Sequence, residues 1–424
     1  MREMKDSGIE WVGAIPATWK IHPLYYYFCE RKCKNTLGKE NNLLSLSYGR
    51  VIRKDINTVD GLLPENYNGY NIIEKDDIVL RLTDLQNDKR SLRTGLVREH
   101  GIITSAYTTI KANRELVPEF FQYLLHSYDV MKVLYNMGSG VRQGLNFSEL
   151  SKMPLISPDM REQKKIADFL DTKCSEIDAL SADIQKEIET LEQYKRSVIT
   201  EAVTKGLNPD AEMKDSGIEW VGNIPVHWDT IPIRYLFAEC RLKNILNQEK
   251  TALKFTYGTI IKKTNFDSDS DEYVANTMTN YTVVYPGTIM INGLNLNYDF
   301  VSQRVGLVKD RGAITSAYLA IVPGSRVVSE YANYQLKSWD YAKAFHNMGT
   351  GVRKTLDFSE LGKKYFVTPS IEEQSKIVAF LDSKCKEIEA IIASKKQQLT
   401  VIDSYKKSLI YEYVTGKKEV PAQN

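Results

Sequence analysis

From Glu162 to about Lys205 the chain contains neither proline nor glycine, so nothing interrupts a helix. Its apolar residues fall at Ile166, Leu170, Cys174, Ile177, Leu180, Ile184, Ile188, Leu191, Tyr194, Val198 and Ala202. Ten steps cover 36 residues, a mean of 3.6, which is one face of a straight α-helix. At 1.5 Å per residue that face is roughly 54 Å long. A helix of this length with a single apolar stripe needs a partner. The stripe recurs at Ile377, Leu381, Cys385, Ile388, Ile391, Leu399, Ile402, Tyr405, Leu409 and Tyr413, broken only by Lys395. Two matching long helices, each following a globular block, predict a rigid spacer between two heads.

The rest of the chain repeats as well. Met4–Pro16 and Met213–Pro225 are identical except for Ala14 against Asn223. Tyr48-Gly49 and Tyr257-Gly258 stand 209 residues apart, each followed by a basic pair, Arg53-Lys54 and Lys262-Lys263. Beyond them the offset becomes 211, at which ITSAY (103–107 and 314–318), NMGSGVRQGLNFSEL (136–150, against NMGTGVRKTLDFSEL) and the long helices recur. Residues 57–100 and 266–311, lying between matching landmarks, share almost nothing. A kept scaffold around a changed surface predicts two heads of one fold that bind different things. Within each head, 76–82 and 281–291 read as strands, the latter turning at Pro286-Gly287. Residues 95–111 and 306–322 read as strand pairs with a glycine turn, and 118–137 and 329–348 as helices. Each head is therefore expected to be mixed α and β (α+β). Gly206 to Pro209 stops the first spacer helix. The expected boundaries are a head over 1–157, a spacer over 158–212, a head over 213–368 and a spacer over 369–424.

At 42% hydrophobic and 26% charged residues, the composition is that of a globular protein. No apolar run approaches a bilayer span, and the charged N-terminus lacks the apolar core of a secretory signal, so a cytoplasmic protein is expected. Five cysteines include one isolated C-x3-C, Cys29 and Cys33, among only five histidines; no metal site is expected. A net charge of +2 neither demands nor excludes nucleic acid, because local clustering decides. There is no phosphate loop, no H-E-x-x-H, no G-x-S-x-G and no Asn/Asp-Pro-Pro-aromatic tetrad of an amino-methyltransferase, so no enzyme and no cofactor are expected in this chain.

Candidate DNA ligands are present instead. The glycine loops carry Ser139, Arg142 and Gln143 in the first copy and Thr350, Arg353 and Lys354 in the second. Glycine lets backbone N–H groups approach a phosphate while the basic side chain adds charge; a helix C-cap followed by a turn is the equally weighted alternative. In the divergent segments Arg81, Lys89, Arg90, Arg93 and Arg98 cluster in the first head, and Asn292, Asn295, Asn297, Gln303 and Arg304 in the second. Arg pairs with guanine and Asn or Gln with adenine in the major groove. Arg53, Lys54, Lys262 and Lys263 are candidate phosphate ligands, as are Ser105, Tyr107, Ser316 and Tyr318 of the ITSAY stretches, whose core otherwise reads as a buried strand.

These residues together resemble the specificity subunit of a type I restriction-modification enzyme. The resemblance rests on W-x-G-x-I-P (Trp11–Pro16 and Trp220–Pro225), on P-x-x-x-E-Q-x-x-I before each long helix (Pro158, Glu162-Gln163, Ile166; Pro369, Glu373-Gln374, Ile377), and on YKRSVITEAVTKGL at the first helix end. The second end, YKKSLIYEYVTGK, lacks the Gly-Leu at the equivalent place. The resemblance spans essentially the whole chain. It implies two target recognition domains, each reading one half of a split asymmetric DNA site. Their long helices would pack antiparallel, coiled-coil-like and with pseudo-two-fold symmetry, as a ruler for the spacer. It also implies two methyltransferase subunits and restriction/translocase subunits as partners, which would hold S-adenosylmethionine, ATP and Mg2+. A related system with a fused nuclease-methyltransferase partner, a catalytic chain and a non-DNA adaptor are the competing readings.

Overall fold

The computed structural model describes residues 2–57, 66–85, 92–137, 144–263, 278–297, 303–349, 351 and 354–421. It contains two mixed α/β heads and two long helices packed against one another, Met160–Lys205 and Ile371–Val414. With 46 and 44 residues the helices are about 69 and 66 Å long, longer than the apolar stripe alone implied. The chain divides into two compact units, one of residues 1–184 with 397–424 and the other of residues 185–396. Both divisions fall inside a long helix, so each unit takes the start of one helix and the end of the other.

In the first unit the central antiparallel sheet runs in the order Phe28–Glu30, Thr108–Ala112, Ile78–Leu80, Thr94–Leu96. In the second it runs Phe237–Glu239, Leu319–Pro323, Ile289–Ile291, Val305–Leu307. The expected strands in 76–82 and 281–291 are there, with Gly287 taking a φ of +91° at the turn. The stretch 95–111 differs from its expectation. Of its three strands, Thr94–Leu96 and Thr108–Ala112 flank Ile78–Leu80 in the central sheet, while Gly101–Ile103 joins Asn71–Ile73 in a separate ribbon; in 306–322 Gly312–Ile314 likewise leaves Val305–Leu307 and joins Thr282–Val284. The ITSAY strand also ends early, at Ile103 and Ile314, because Thr104 and Thr315 turn the chain by accepting the N–H of Ala106 and Ala317 on their hydroxyls.

A helix backs each sheet, Pro118–Val130 and Ser329–Tyr341. Each stops where Lys132 and Lys343 adopt positive φ, followed by a 3-10 turn, which shortens both expected helices. The first core gathers Trp19, Phe120, Phe121 and Leu124 and is completed by Ile166 and Leu170 from the start of the first long helix. Leu409, Tyr413 and Val414 from the end of the second close it. The second core repeats this with Trp228, Tyr331, Leu336 and Trp339, completed by Ile377 and Leu381 from the second helix and Ile199, Ala202 and Val203 from the first.

Three short sequences fasten these joints. Glu162 accepts the indole N–H of Trp19 at 3.0 Å, and Glu373 that of Trp228 at 3.1 Å. Partial burial acts against the charge of Glu373, but hydrogen bonds from His227 and Trp228 hold its carboxyl below the usual range. The buried Gln163 accepts the backbone N–H of Val117 and donates to the carbonyl of Pro158, both at 3.0 Å; Gln374 does the same with Val328 and Pro369. The Glu-Gln pair is thus a rivet between head and helix. Gly206 and Gly416, at φ of +77° and +71°, end the helices; the second copy places its stop glycine one position earlier.

The helix seam corrects the straight stripe. Leu180 and Tyr194 are 51% and 54% exposed, as are Ile391 and Tyr405 to 40% and 57%. Ser181 and the charged Lys195 take their places, with Lys395 and Lys406 on the other helix. The covered positions therefore follow a seven-residue repeat, 170/174, 177/181, 184/188, 191/195, 198/202, as a two-helix seam requires. Ile166, Leu170, Ile184, Ile377, Leu381, Ile388 and Leu409 are buried; Ile177, Leu191, Val198 and Ile402 are half-buried. The seam lysines lie flat and pair across it. Lys406 meets Asp178 at 2.6 Å, while Lys195 meets Glu389 and Lys395 meets Glu187. The partners descend along one helix as they ascend along the other, so the helices are antiparallel.

Candidate nucleic-acid interface

The divergent segment of each head enters and leaves through a neck held by one arginine. Arg93 and Arg304 are both fully buried. Arg93 donates to the carbonyl oxygens of Arg81, Thr83 and Asp84 at 3.1, 2.9 and 3.0 Å. Its own backbone N–H goes to Asp129 at 2.6 Å, and its guanidinium lies over the Tyr135 ring. Arg304 donates to Asn292 and Leu294 at 2.9 Å each, with its N–H on Asp340 at 2.8 Å. Burial pushes the Asp340 carboxyl up, opposed by that N–H. A planar guanidinium with five fixed donors can satisfy several carbonyls of an irregular loop at once. Both arginines therefore face the protein and not solvent. They are removed from the set of direct DNA ligands, because burial against their own loop leaves no donor surface for a base.

The necks they hold present the other candidates. Arg81 is half-buried, Asn292 half-buried, Asn295 exposed and Asn297 half-buried. Asn295 adopts a φ of +49°, and the Asn292 side chain accepts the N–H of Leu294 at 3.2 Å, so Asn292 shapes the loop as well as lining it. The exits of the glycine loops lie beside these necks. Leu145 donates its N–H to Leu82 at 2.9 Å. Leu296 donates to the carbonyl of Lys354 at 3.0 Å, and Leu356 to Gly293 at 2.9 Å. Lys354 is half-buried. Lys89, Arg90, Ser139, Arg142, Gln143, Thr350 and Arg353 lie outside the described residues.

The remaining candidates sit on a hairpin and on the turn after Ile103 or Ile314. Arg53 and Lys54 are exposed, Arg53 gripping Glu99 with Nε at 2.7 Å. Lys262 is exposed and pairs with Asp310 at 2.8 Å, and Lys263 is half-buried. Ser105 and Ser316 are exposed; Ser316 Oγ accepts from Lys243 at 2.7 Å. Tyr107 and Tyr318 are packed, Tyr318 against the Phe255 ring at 5.3 Å, which leaves the serines as the outward members of each ITSAY turn. Among the described residues no group of three His, Cys, Asp or Glu side chains could hold a metal ion. No helix there is long and apolar enough to cross a membrane.

Residues 28–190 match the family described as type I restriction modification DNA specificity domain. A putative type I restriction enzyme MjaX specificity subunit of Methanocaldococcus jannaschii is 24% identical over 317 residues, covering 72% of this chain and 69% of that protein. The type I restriction enzyme MjaVIII specificity subunit of the same organism is 23% identical over 347 residues, 76% of either chain. In fold, the chain matches one from a solved study of complex assembly and conformational transition of the type I restriction-modification system. The TM-score is 0.68 at 13% identity, over 95% of this chain and 99% of that one.

Proposed function

We propose that the chain is a specificity subunit of a type I restriction-modification system, the DNA-specificity and non-catalytic component, and that its two heads each read one half of a split, asymmetric DNA site. One observation carries the reading. The same arginine-held neck occurs in both heads, yet the segments they carry share almost no sequence. A common scaffold with unlike loops is what two different half-sites require. Side chains on the necks and at the glycine-loop exits, Arg81 in the first head and Asn295, Asn297 and Lys354 in the second, supply base and phosphate contacts. The antiparallel helices set the distance between half-sites, and at about 66–69 Å they exceed one DNA turn of about 34–36 Å.

Two methyltransferase subunits dock on this chain and bring S-adenosylmethionine to adenine, and restriction/translocase subunits add ATP and Mg2+. The decisive measurement is adenine-methylation mapping of DNA from cells expressing this chain with its methyltransferase partner, against cells lacking only this chain. The expected result is a split motif that disappears without the chain. A single unbroken motif, or methylation indifferent to the chain, overturns the reading.

A further inference from the structure

Each head carries a two-stranded hairpin, Leu44–Ser47 with Arg50–Arg53 and Leu253–Thr256 with Thr259–Lys262. Ser47 pairs with Arg50 and Thr256 with Thr259, which leaves two-residue loops, Tyr48-Gly49 and Tyr257-Gly258. Their φ angles are 44° and 78° in the first, 43° and 73° in the second, the two positive values of a type I′ turn. Gly, Asn or Asp ordinarily fills the first of these positions, because a Cβ there crowds the backbone. Both copies place a tyrosine in it. Both also leave the ring in water, at 77% and 73% exposure. The flanking strands, LSLS/RVIR against LKFT/TIIK, have drifted. A side chain that is unfavourable for the turn and buries nothing, kept twice while its surroundings changed, is a signature of function rather than folding.

The glycines place these tips. A Cβ on Gly49 would stand 3.1 Å from Leu92 Cβ, and one on Gly258 would stand 2.9 Å from Gln303 Cβ and 3.2 Å from the Val305 carbonyl. Leu92 and Gln303 immediately precede the clasping arginines. Each tyrosine therefore projects from a turn pressed against the neck of the divergent loop, in the head's own candidate reading face.

We propose that Tyr48 and Tyr257 are direct duplex-DNA contacts, one per half-site, which rests on the reading that the heads bind DNA. The ring packs on the sugar and base edge at the groove margin and the hydroxyl donates to a phosphate oxygen. A phenol carries an apolar body and a polar tip, and neither reads a base identity. The tyrosine fixes each head's register on the duplex, and the neighbouring loop discriminates. Unlike Arg53 and Lys262, the tips make this contact without giving up an ion pair.

The test uses the full chain assembled with its methyltransferase partner, on cognate duplex and on duplexes altered in one half-site. Asn suits the turn, so Tyr48→Asn and Tyr257→Asn should keep or raise the thermal midpoint. Each should weaken cognate binding roughly tenfold while leaving the base preference of both half-sites unchanged. Tyr48→Trp, which restores an aromatic ring, should recover most of the loss. Wild-type affinity in both Asn variants overturns the inference, as does a Trp variant no better than Asn. If the unmodified complex itself shows no preference for the cognate duplex, the DNA reading fails instead, and the two failures are distinguishable.

Discussion

At the scale of single residues, what a side chain does depends on which way it faces, and that is set by groups far away in the chain. Arg93 and Arg304 were conspicuous as positive charge in a variable segment, and nothing local distinguishes an arginine that reaches out from one that folds back on three carbonyls. The Glu-Gln pairs were visible as markers, whereas their role, capturing an indole N–H and a backbone N–H some 140 and 46 residues away, depends on tertiary proximity. If Arg93 positions the neck, Arg93→Met should leave buried carbonyls unpaired and cost about 3 kcal/mol. It should also relax base preference in the first half-site while the second stays as read. Methylation mapping of the variant separates this from simple loss of the head, in which no motif would survive.

His126 permits a second residue-scale prediction. Burial, with Lys406 and Lys407 adding to it and Asp403 opposing, lowers its pKa to about 4. The unfolded chain takes up this proton below about pH 6.5 and the folded one does not until about pH 4. The stability present at neutral pH is therefore lost as pH falls through that window. The loss reaches up to roughly 3 kcal/mol, less to the extent that the ring keeps some exposure. Lys337 occupies the equivalent place in the second head, so the effect belongs to the first unit. Thermal midpoints measured between pH 7 and 5 should fall more steeply for the wild type than for His126→Gln; parallel profiles would contradict the assignment.

At the scale of elements, period was the reliable signal. The short all-buried strands and the uninterrupted helices were legible because alternation, length and the absence of proline are local properties. The seam was not. Leu180 and Tyr194 satisfied a 3.6 period on hydrophobicity alone, yet two paired helices bury a 3.5 period, and Ser181 and Lys195 satisfy it. Polar residues at seam positions specify register at a cost in stability, which gives Lys195, Lys395 and Lys406 a role that composition could not announce. The same register constrains any test of the ruler. Lengthening one helix alone would slide Asp178 past Lys406 and Glu187 past Lys395. Matched seven-residue insertions near Ser181 and near Ile402 preserve the repeat and extend the pair by about 10 Å. The mapped motif should then keep both half-sites and gain about 3 base pairs of spacer. An unchanged spacer, or altered half-sites, would show that the helices do not measure the site.

At the scale of the whole chain, duplication in sequence becomes exchange in structure. Neither head is complete with the residues that immediately surround it. The first is closed by Leu409, Ile410, Tyr413 and Val414, and Tyr411 and Lys417 reach the carbonyl of Val12 at 3.3 and 2.8 Å. The second is closed by Ile199, Ala202 and Val203, with Tyr331 reaching the Val203 carbonyl at 3.5 Å. The repeat predicts two like heads and two separate spacers, over 158–212 and 369–424; that the end of each helix returns to close the other head's core is not in the pattern, because a linear repeat records order and not return. Removing 397–424 should therefore act far from the cut. Each large apolar side chain taken from a core costs about 2–4 kcal/mol, and losing four of them is comparable to the whole 5–15 kcal/mol typical of a domain. Amide hydrogen exchange on the shortened chain should show protection lost in residues 2–184 and kept in 185–396. Protection kept in the first head would mean that its core closes without the end of the second helix. The effect on DNA would follow the same division, with discrimination in the first half-site lost and the second head still folded to read its own.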